Sequence, residues 1–462
     1  MKHLPHRPSR LLLSITLMLG ACVPGPSNDM PTRAAQDIDG GLPPMKTFVV
    51  PRPVAPQHSN RDIARDFIEL SFRLESGRDL PVLTRFEGPI SVAVTGSPPP
   101  HLIPDLNRLL HRLKTEAGLN IHLSNADTAN ITIQAVPRRE IRKALPQAAC
   151  FVVPNITRLS QYRAAQRTQR VNWAALKERH QLAIFLPSDA SPQEARDCLH
   201  EELAQALGPL NDLYHLPDSV FNDDNVHTVL TGFDMLILRT YYSRDLHSGM
   251  TRHQVAARLP AILARINPSG AQFASRPLST TPRQWINAVQ AALGPGAGPI
   301  QRRASAQQAV QIAQTLGWQD HRRAFSHYAL GRLTQAADPV YAFGQFATAD
   351  RFYAMTPTTG LHRAHVAAQM AIHALASGRG EDALRLIGPH IQTAATYENA
   401  ALLATLLLLR AEALDLTGRV SEGRTVRLDS LGWARYGFGA DWAVRAKMRE
   451  ISGLNPLKGR GG

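Results

Sequence analysis

"SPQEARDCLHEELAQALGPLND", Ser191 to Asp212, is the stretch on which the fold turns. Ser191 stands where a helix cap belongs, Pro192 takes the first helical position, and Glu194 completes a capping box. Leu199, Leu203, Ala206 and Leu207 form an apolar stripe at helical spacing, and Gly208 ends the helix. Glu201 and Gln205 lie one turn apart with Glu202 beside them. Two donor side chains at that spacing can point to one ion, and a neighbouring Glu can take a proton from a bound water. His200 cannot open such a frame, because the residue four later is Ala204.

Upstream, the chain reads as an α/β layer. "PISVAVT" (Pro89 to Thr95) alternates like a strand. "IPDLNRLLHRLKTEAG" places Leu106, Leu109, Leu110, Leu113 and Ala117 on one helical face before Gly118. "NIHLS" from Asn120, "NITIQAV" from Asn130, "CFVVPN" from Cys150 and "LAIFLP" from Leu182 are short β-branched or aromatic runs, read as further strands. Downstream, Thr231 with Asp234 and Thr251 with Gln254 form two more capping boxes. The fold class expected is α+β for this part.

Beyond Pro268 the sequence turns Ala- and Leu-rich and helical. "AIHALASGRGEDALRLI" from Ala371 and "RAEALDLTGRVSEGRTVRL" from Arg410 repeat a small-residue helix and a Gly-Arg turn at a spacing of 40 positions. That resembles tetratricopeptide (TPR-like) helix hairpins; an irregular helical bundle remains the alternative. "GPGAGPIQRR" (Gly294 to Arg303) reads as a linker.

The first residues place Lys2, Arg7 and Arg10 before the apolar run "LLLSITLMLG", the pattern of a secretory signal over residues 1–21. It closes on "LGAC", which resembles the lipobox of bacterial lipoproteins and implies lipidation of Cys22. Val23, rather than Asp, follows, so the reading leans to the outer membrane of the cell envelope. Residues 22–56, rich in Pro and Gly, read as a tether, 57–268 as the α+β domain and 269–462 as the helical domain. No later apolar stretch reaches the roughly 18 residues of a membrane span. Cys150 and Cys198 are expected to form a disulfide in an oxidising compartment. The net charge is +14 over 462 residues, without a long basic run. Export and the lack of an aromatic-studded basic motif argue against nucleic acid as partner.

"EELAQALGPLN", Glu201 to Asn211, fits the spacing of the zincin, and more narrowly metzincin, helix His-Glu-x-x-His-x-x-Gly-x-x-His, with every His replaced. "SVF" (Ser219 to Phe221) followed by "LTGFDMLILRTYY" resembles the Ser-Val-Met turn and following helix of those proteases, with Phe221 in place of the methionine. About 210 residues from Asn60 to Pro268 resemble a degenerate zincin-like domain: a mixed sheet plus active-site-type helices. They are closer still to a proteobacterial lipoprotein family of unknown function, in which "CLHEELAQALGPLND" and "SVFNDDN" recur. This resemblance implies a fold and a location and no activity.

Glu201, Gln205 and Asn211 or Asp212 would be the ligands of a divalent cation, an oxygen set that suits Ca²⁺, Mg²⁺ or Mn²⁺ and does not favour zinc. Glu202 would be the general base. His200, Asp223 and Asp224 would stand behind them, the last two only if "FNDDN" folds back over the helix. The expected function is that of a lipid-anchored envelope protein that binds a polypeptide or organises a complex without catalysis. The alternative is a metal-dependent envelope peptidase. A polar helix face with no ligand would carry the same residues.

Overall fold

A computed structural model of the chain describes residues 41–48, 54–125 and 128–458. The signal segment, Cys22 and the start of the tether lie outside the described residues. The elements run α1 (Asn60–Ser71), β1 (Ile90–Gly96), α2 (Leu102–Glu116), β2 (Ile121–Leu123), β3 (Ile131–Val136), α3 (Arg138–Ala144), β4 (Phe151–Pro154), α4 (Leu159–Ala165), β5 (Leu182–Pro187), α5 (Pro192–Leu207), α6 (Gly232–Tyr241) and α7 (Arg252–Ile266). Helices alone follow: α8 (Arg283–Leu293), α9 (Pro299–Thr315), α10 (His321–Thr334), α11 (Pro339–Met355), α12 (Gly360–Ala376), α13 (Gly380–Ile387), α14 (Ile391–Thr396), α15 (Ala400–Leu416), α16 (Val420–Phe438) and α17 (Asp441–Ser452). The architecture is mixed α/β with a helical C-terminal region.

All five strands expected from the sequence form, and they join one mixed sheet in the order β2-β1-β3-β5-β4. β1 is parallel to β2 and to β3, β3 is parallel to β5, and only β4 runs antiparallel, on β5. β5 is buried along its whole length, as a continuous apolar run requires. Its Leu182, Ile184 and Leu186 join the core with α2 and α5, while Ala183 and Phe185 face Phe151, Val153 and Ile141 on the other side. The alternation of the strand thus supplies two cores.

Pro154 marks β4 as an edge. The pair Asn155–Gln181 exchanges a ladder bond, with the Asn155 N–H donating to the Gln181 carbonyl. Alternation along the register then turns the main-chain groups of Val152 and Pro154 outward, away from β5. A proline there costs no ladder hydrogen bond.

The described residues from Leu42 onward form one compact unit. The change of character near Pro268 therefore marks two parts that pack together. Arg196 of α5 reaches Glu398 (3.0 Å), the Tyr436 hydroxyl of α16 donates to Asp105 of α2 (2.9 Å), and His362 of α12 pairs with Asp224 (2.8 Å). Part of the stretch read as tether is docked. The Lys46 N–H donates to the Gly432 carbonyl, and Phe48 is buried against Trp433 at 4.6 Å between ring centres. Apolar Phe48 and Leu42 hold a Pro-rich segment to α16 that composition alone assigns to solvent.

The two Gly-Arg turns separated by 40 positions have one geometry. Gly378 (φ 73°) and Gly418 (φ 79°) both adopt the left-handed conformation. The following arginine N–H groups close back on Ala374 and Leu414, in the six-to-one pattern that ends a helix on glycine. Successive helices in this region pack against one another. The stretch read as a linker is shorter than expected, since Pro299 to Arg303 form the first turn of α9. Among the described residues no helix is long and apolar enough to cross a membrane.

Candidate functional site

α5 is fixed at both ends. The Ser191 hydroxyl accepts from the Glu194 N–H (3.2 Å), but the Glu194 carboxylate bridges to Arg138 at 2.5 and 2.7 Å. The capping box is therefore half formed, because a charged partner outbids a backbone N–H. The boxes at Thr231 and Thr251 are complete. At the C-terminal end, Arg179 donates to the carbonyls of Gln205 (2.6 Å), Ala206 (2.7 Å) and Gly208 (2.5 Å), and the Tyr242 hydroxyl donates to that of Leu207 (2.9 Å). These are the carbonyls a helix leaves without internal partners. Gly208 is required by close packing: a Cβ there would lie 2.8 Å from the Tyr241 ring.

The outward face of α5 opens into a cavity of about 590 Å³. Glu201, Glu202 and Gln205 line it from the helix, Asp212 and Asp223 from the loops that follow, and Glu75 from the turn after α1. Cys150, Phe151 and Val152 form the opposite wall. Cys150 is joined to Cys198 of α5 by a disulfide, with Cα atoms 6.0 Å apart, as the sequence led one to expect. The wall and the acidic helix face are thus covalently tied.

Among the described residues five carboxyl groups share this cavity, and no Lys, Arg or His lines it. Burial, reinforced by mutual repulsion, raises all five. Glu201 is pushed up to about 7, first by burial and then by Glu75 and Asp223. Glu202 and Asp212 are held well above the usual carboxylate range. Glu75 and Asp223 are raised as well, Asp223 despite accepting from the Tyr214 hydroxyl at 2.7 Å. Glu202 is only 5% exposed, and its Oε2 has no hydrogen-bond partner.

A group that holds its proton more tightly when folded loses folded-state stability as pH rises through its folded value. For Glu201, between its ordinary 4.5 and about 7, the expected loss is about 3 kcal/mol. Urea unfolding of the protein and of Glu201→Gln at about pH 5 and about pH 8 checks this. The gap between the two proteins should shift in favour of the variant at the higher pH. Parallel behaviour would mean that a cation neutralises the cluster in solution.

The structure brings Glu201, Glu202, Gln205, Asp212 and Asp223 together and separates the other expected residues. Asn211 does not join Glu201 and Gln205. Its amide donates to the Glu69 carbonyl (3.0 Å), and it lines a neighbouring cavity of about 520 Å³. Of the expected set of Glu201, Gln205 and Asn211 or Asp212, the cavity therefore gathers Glu201, Gln205 and Asp212 but not Asn211. Among the described residues no group of three or more His, Cys, Asp or Glu side chains is placed to hold one metal ion. His200 points elsewhere: its Nδ1 accepts from the Leu230 N–H (3.0 Å), and burial with nearby Arg112, Arg196 and Arg108 keeps the ring neutral. "FNDDN" folds back in part. Asp223 reaches the cavity, whereas Asp224 turns to His362 and to the Val226 N–H (3.0 Å). In the "SVF" turn the Ser219 hydroxyl donates to Asp234 (2.5 Å), and Phe221 is fully buried in the core.

Glu75, Tyr214 and Arg179 were not legible as site residues. Glu75 belongs to "ESGRD", an ordinary polar turn, and its distance in sequence from α5 carries no spacing signal. Arg179 sits in the mixed-charge run Lys177 to His180 between strands, where nothing local sets it apart.

Residues 60–261 match the profile of a family described as "Protein of unknown function (DUF2927)". No curated protein and no solved structure matches the chain. The matched span begins at α1 and ends within α7, so it takes in the sheet, α5 and every acidic residue of the cavity.

Proposed function

We propose that the chain is a lipid-anchored protein of the cell envelope, carried on Cys22, that holds an extended polypeptide segment in the cleft between β4 and α5 without cutting it. A degenerate zincin-like module would provide the cleft, and the TPR-like helical hairpins would brace it or meet further partners. The outward edge of β4 carries the reading. An unpaired strand edge receives an added strand through main-chain hydrogen bonds, and Phe151 and Val152 on this strand also line the acidic cavity. Added peptide would run past α5.

The retained Glu-Glu-x-x-Gln frame favours the peptidase alternative, but its chemistry is poorly provided for. A general base must be ionised at working pH, and Glu202, among four other carboxyls, would serve as one only with a cation held beside it. The oxygen set that would hold a cation loses Asn211 and is left with Glu201, Gln205 and Asp212.

Fluorescein-labelled heptapeptides of alternating Thr and Val, followed by anisotropy, test the reading. Saturable binding is expected, weakened roughly ten-fold, or about 1.4 kcal/mol, by Val152→Pro. That substitution removes an outward N–H and no ladder bond. Absence of saturable binding would sink the proposal. Cleavage seen by mass spectrometry, and lost in Glu202→Gln, would establish the peptidase in its place.

A further inference from the structure

We infer that the floor of this cleft takes a basic side chain, the ammonium of lysine or the guanidinium of arginine, from the bound segment, a specificity that rests on the polypeptide reading above. The protein carries a net charge of +14, and several buried acids elsewhere meet a base: Asp66 meets Arg65, Asp105 meets Arg108, and Glu412 meets Arg427 and Lys458, while buried Asp234 meets the Ser219 hydroxyl and the N–H groups of Val220 and Thr231. In the cavity the pattern breaks, with five carboxyl groups and no basic residue lining it. The nearby Arg283 donates to the main-chain carbonyl of Glu75 (2.7 Å) and lines the adjoining cavity.

The second observation is Glu202. Its side chain lines the cavity, the residue is 5% exposed, and Oε2 meets no donor among the described residues. A buried carboxyl oxygen without a partner costs about 1–3 kcal/mol, and a cationic N–H donor brought into the cavity would displace the Glu202 proton and pair with the carboxylate left behind. The acids come from separate segments and do not converge three to a point. That dispersed arrangement suits an elongated cation with several N–H donors better than a bare ion. Leu210, Trp173, Phe151 and Val152 line the same space and would cover an aliphatic stem.

The test uses the full-length protein and three of the labelled Thr/Val heptapeptides, with lysine, arginine or norleucine at the centre. The lysine and arginine peptides should bind at least roughly ten-fold more tightly than the norleucine peptide. The preference should collapse in Glu202→Gln and in Asp212→Asn, two near-isosteric changes that leave no acid to ionise against the bound cation. Attraction to the general surface cannot mimic this, since a protein of net charge +14 repels basic peptides. Equal binding of all three, still weakened by Val152→Pro, would overturn the basic specificity and leave the polypeptide cleft standing. Binding of none would overturn both.

Discussion

Replacing Cys150 by serine together with Cys198 by alanine is expected to cost about 4 kcal/mol of stability, the loop entropy released by a cross-link that spans 48 residues. The segment enclosed includes α4, β5 and the start of α5, so the unfolded chain gains freedom over much of the α/β part. The native consequence is local. Leu145 to Cys150 form the cavity wall opposite α5, and the disulfide ties that wall to the helix one turn before Glu201 and Glu202. Urea unfolding should record the global loss, and hydrogen exchange should rise from Gln147 to Val152. A loss below about 1 kcal/mol would show that the unfolded chain keeps its ends together without the bond.

Arg179→Met is expected to destabilise by about 5 kcal/mol, since it strands buried carbonyls that cost about 1–3 kcal/mol each. Arg179 is 2% exposed, has no carboxylate partner among the described residues and directs its guanidinium at the carbonyls of Gln205, Ala206 and Gly208. Its Nε also reaches the Thr84 hydroxyl (3.2 Å), and the guanidinium lies 5.2 Å from the centre of the Trp173 ring. Its positive charge meets the negative end of α5, where the helix dipole favours it. Burial draws its proton affinity down from the ordinary arginine range. Arg179→Lys keeps the charge but not the fork that serves several acceptors, so it should fall between the two. Gln205 belongs to the cavity, so the methionine variant should also weaken peptide binding. A stability loss under about 1 kcal/mol would mean that water replaces the guanidinium at the helix end.

Local patterns reported faithfully where a single element decides the outcome. The alternation in "PISVAVT" and the apolar run in "LAIFLP" became β1 and β5. The stripe of Leu106, Leu109, Leu110, Leu113 and Ala117 is buried, and so is the stripe of α5. Caps at Thr231 and Thr251 formed as spaced. The cap at Ser191 formed only by half, because Arg138, 56 residues away, claims Glu194. The same kind of distant competition turned Asn211 to Glu69 and Asp224 to His362. The Pro-rich segment around Phe48 docked because α16 offers Trp433 and Tyr436, which composition cannot foresee.

By itself, then, the sequence determined the five strands, the apolar faces of α2 and α5, the starts of α6 and α7, the pairing of Cys150 with Cys198 and the helix that carries Glu201, Glu202 and Gln205. Hydrophobic period, capping residues and glycine stops act within one element, over distances the chain itself sets. Only the tertiary structure decided which acids share a cavity. Glu75, Asp212 and Asp223 reach α5 through loops whose course depends on packing, and a carboxyl group's proton affinity depends on the neighbours and solvent that packing leaves it. The order of strands, with β4 antiparallel at the edge, was decided in the same way, because pairing joins segments far apart in the chain and no local spacing records it.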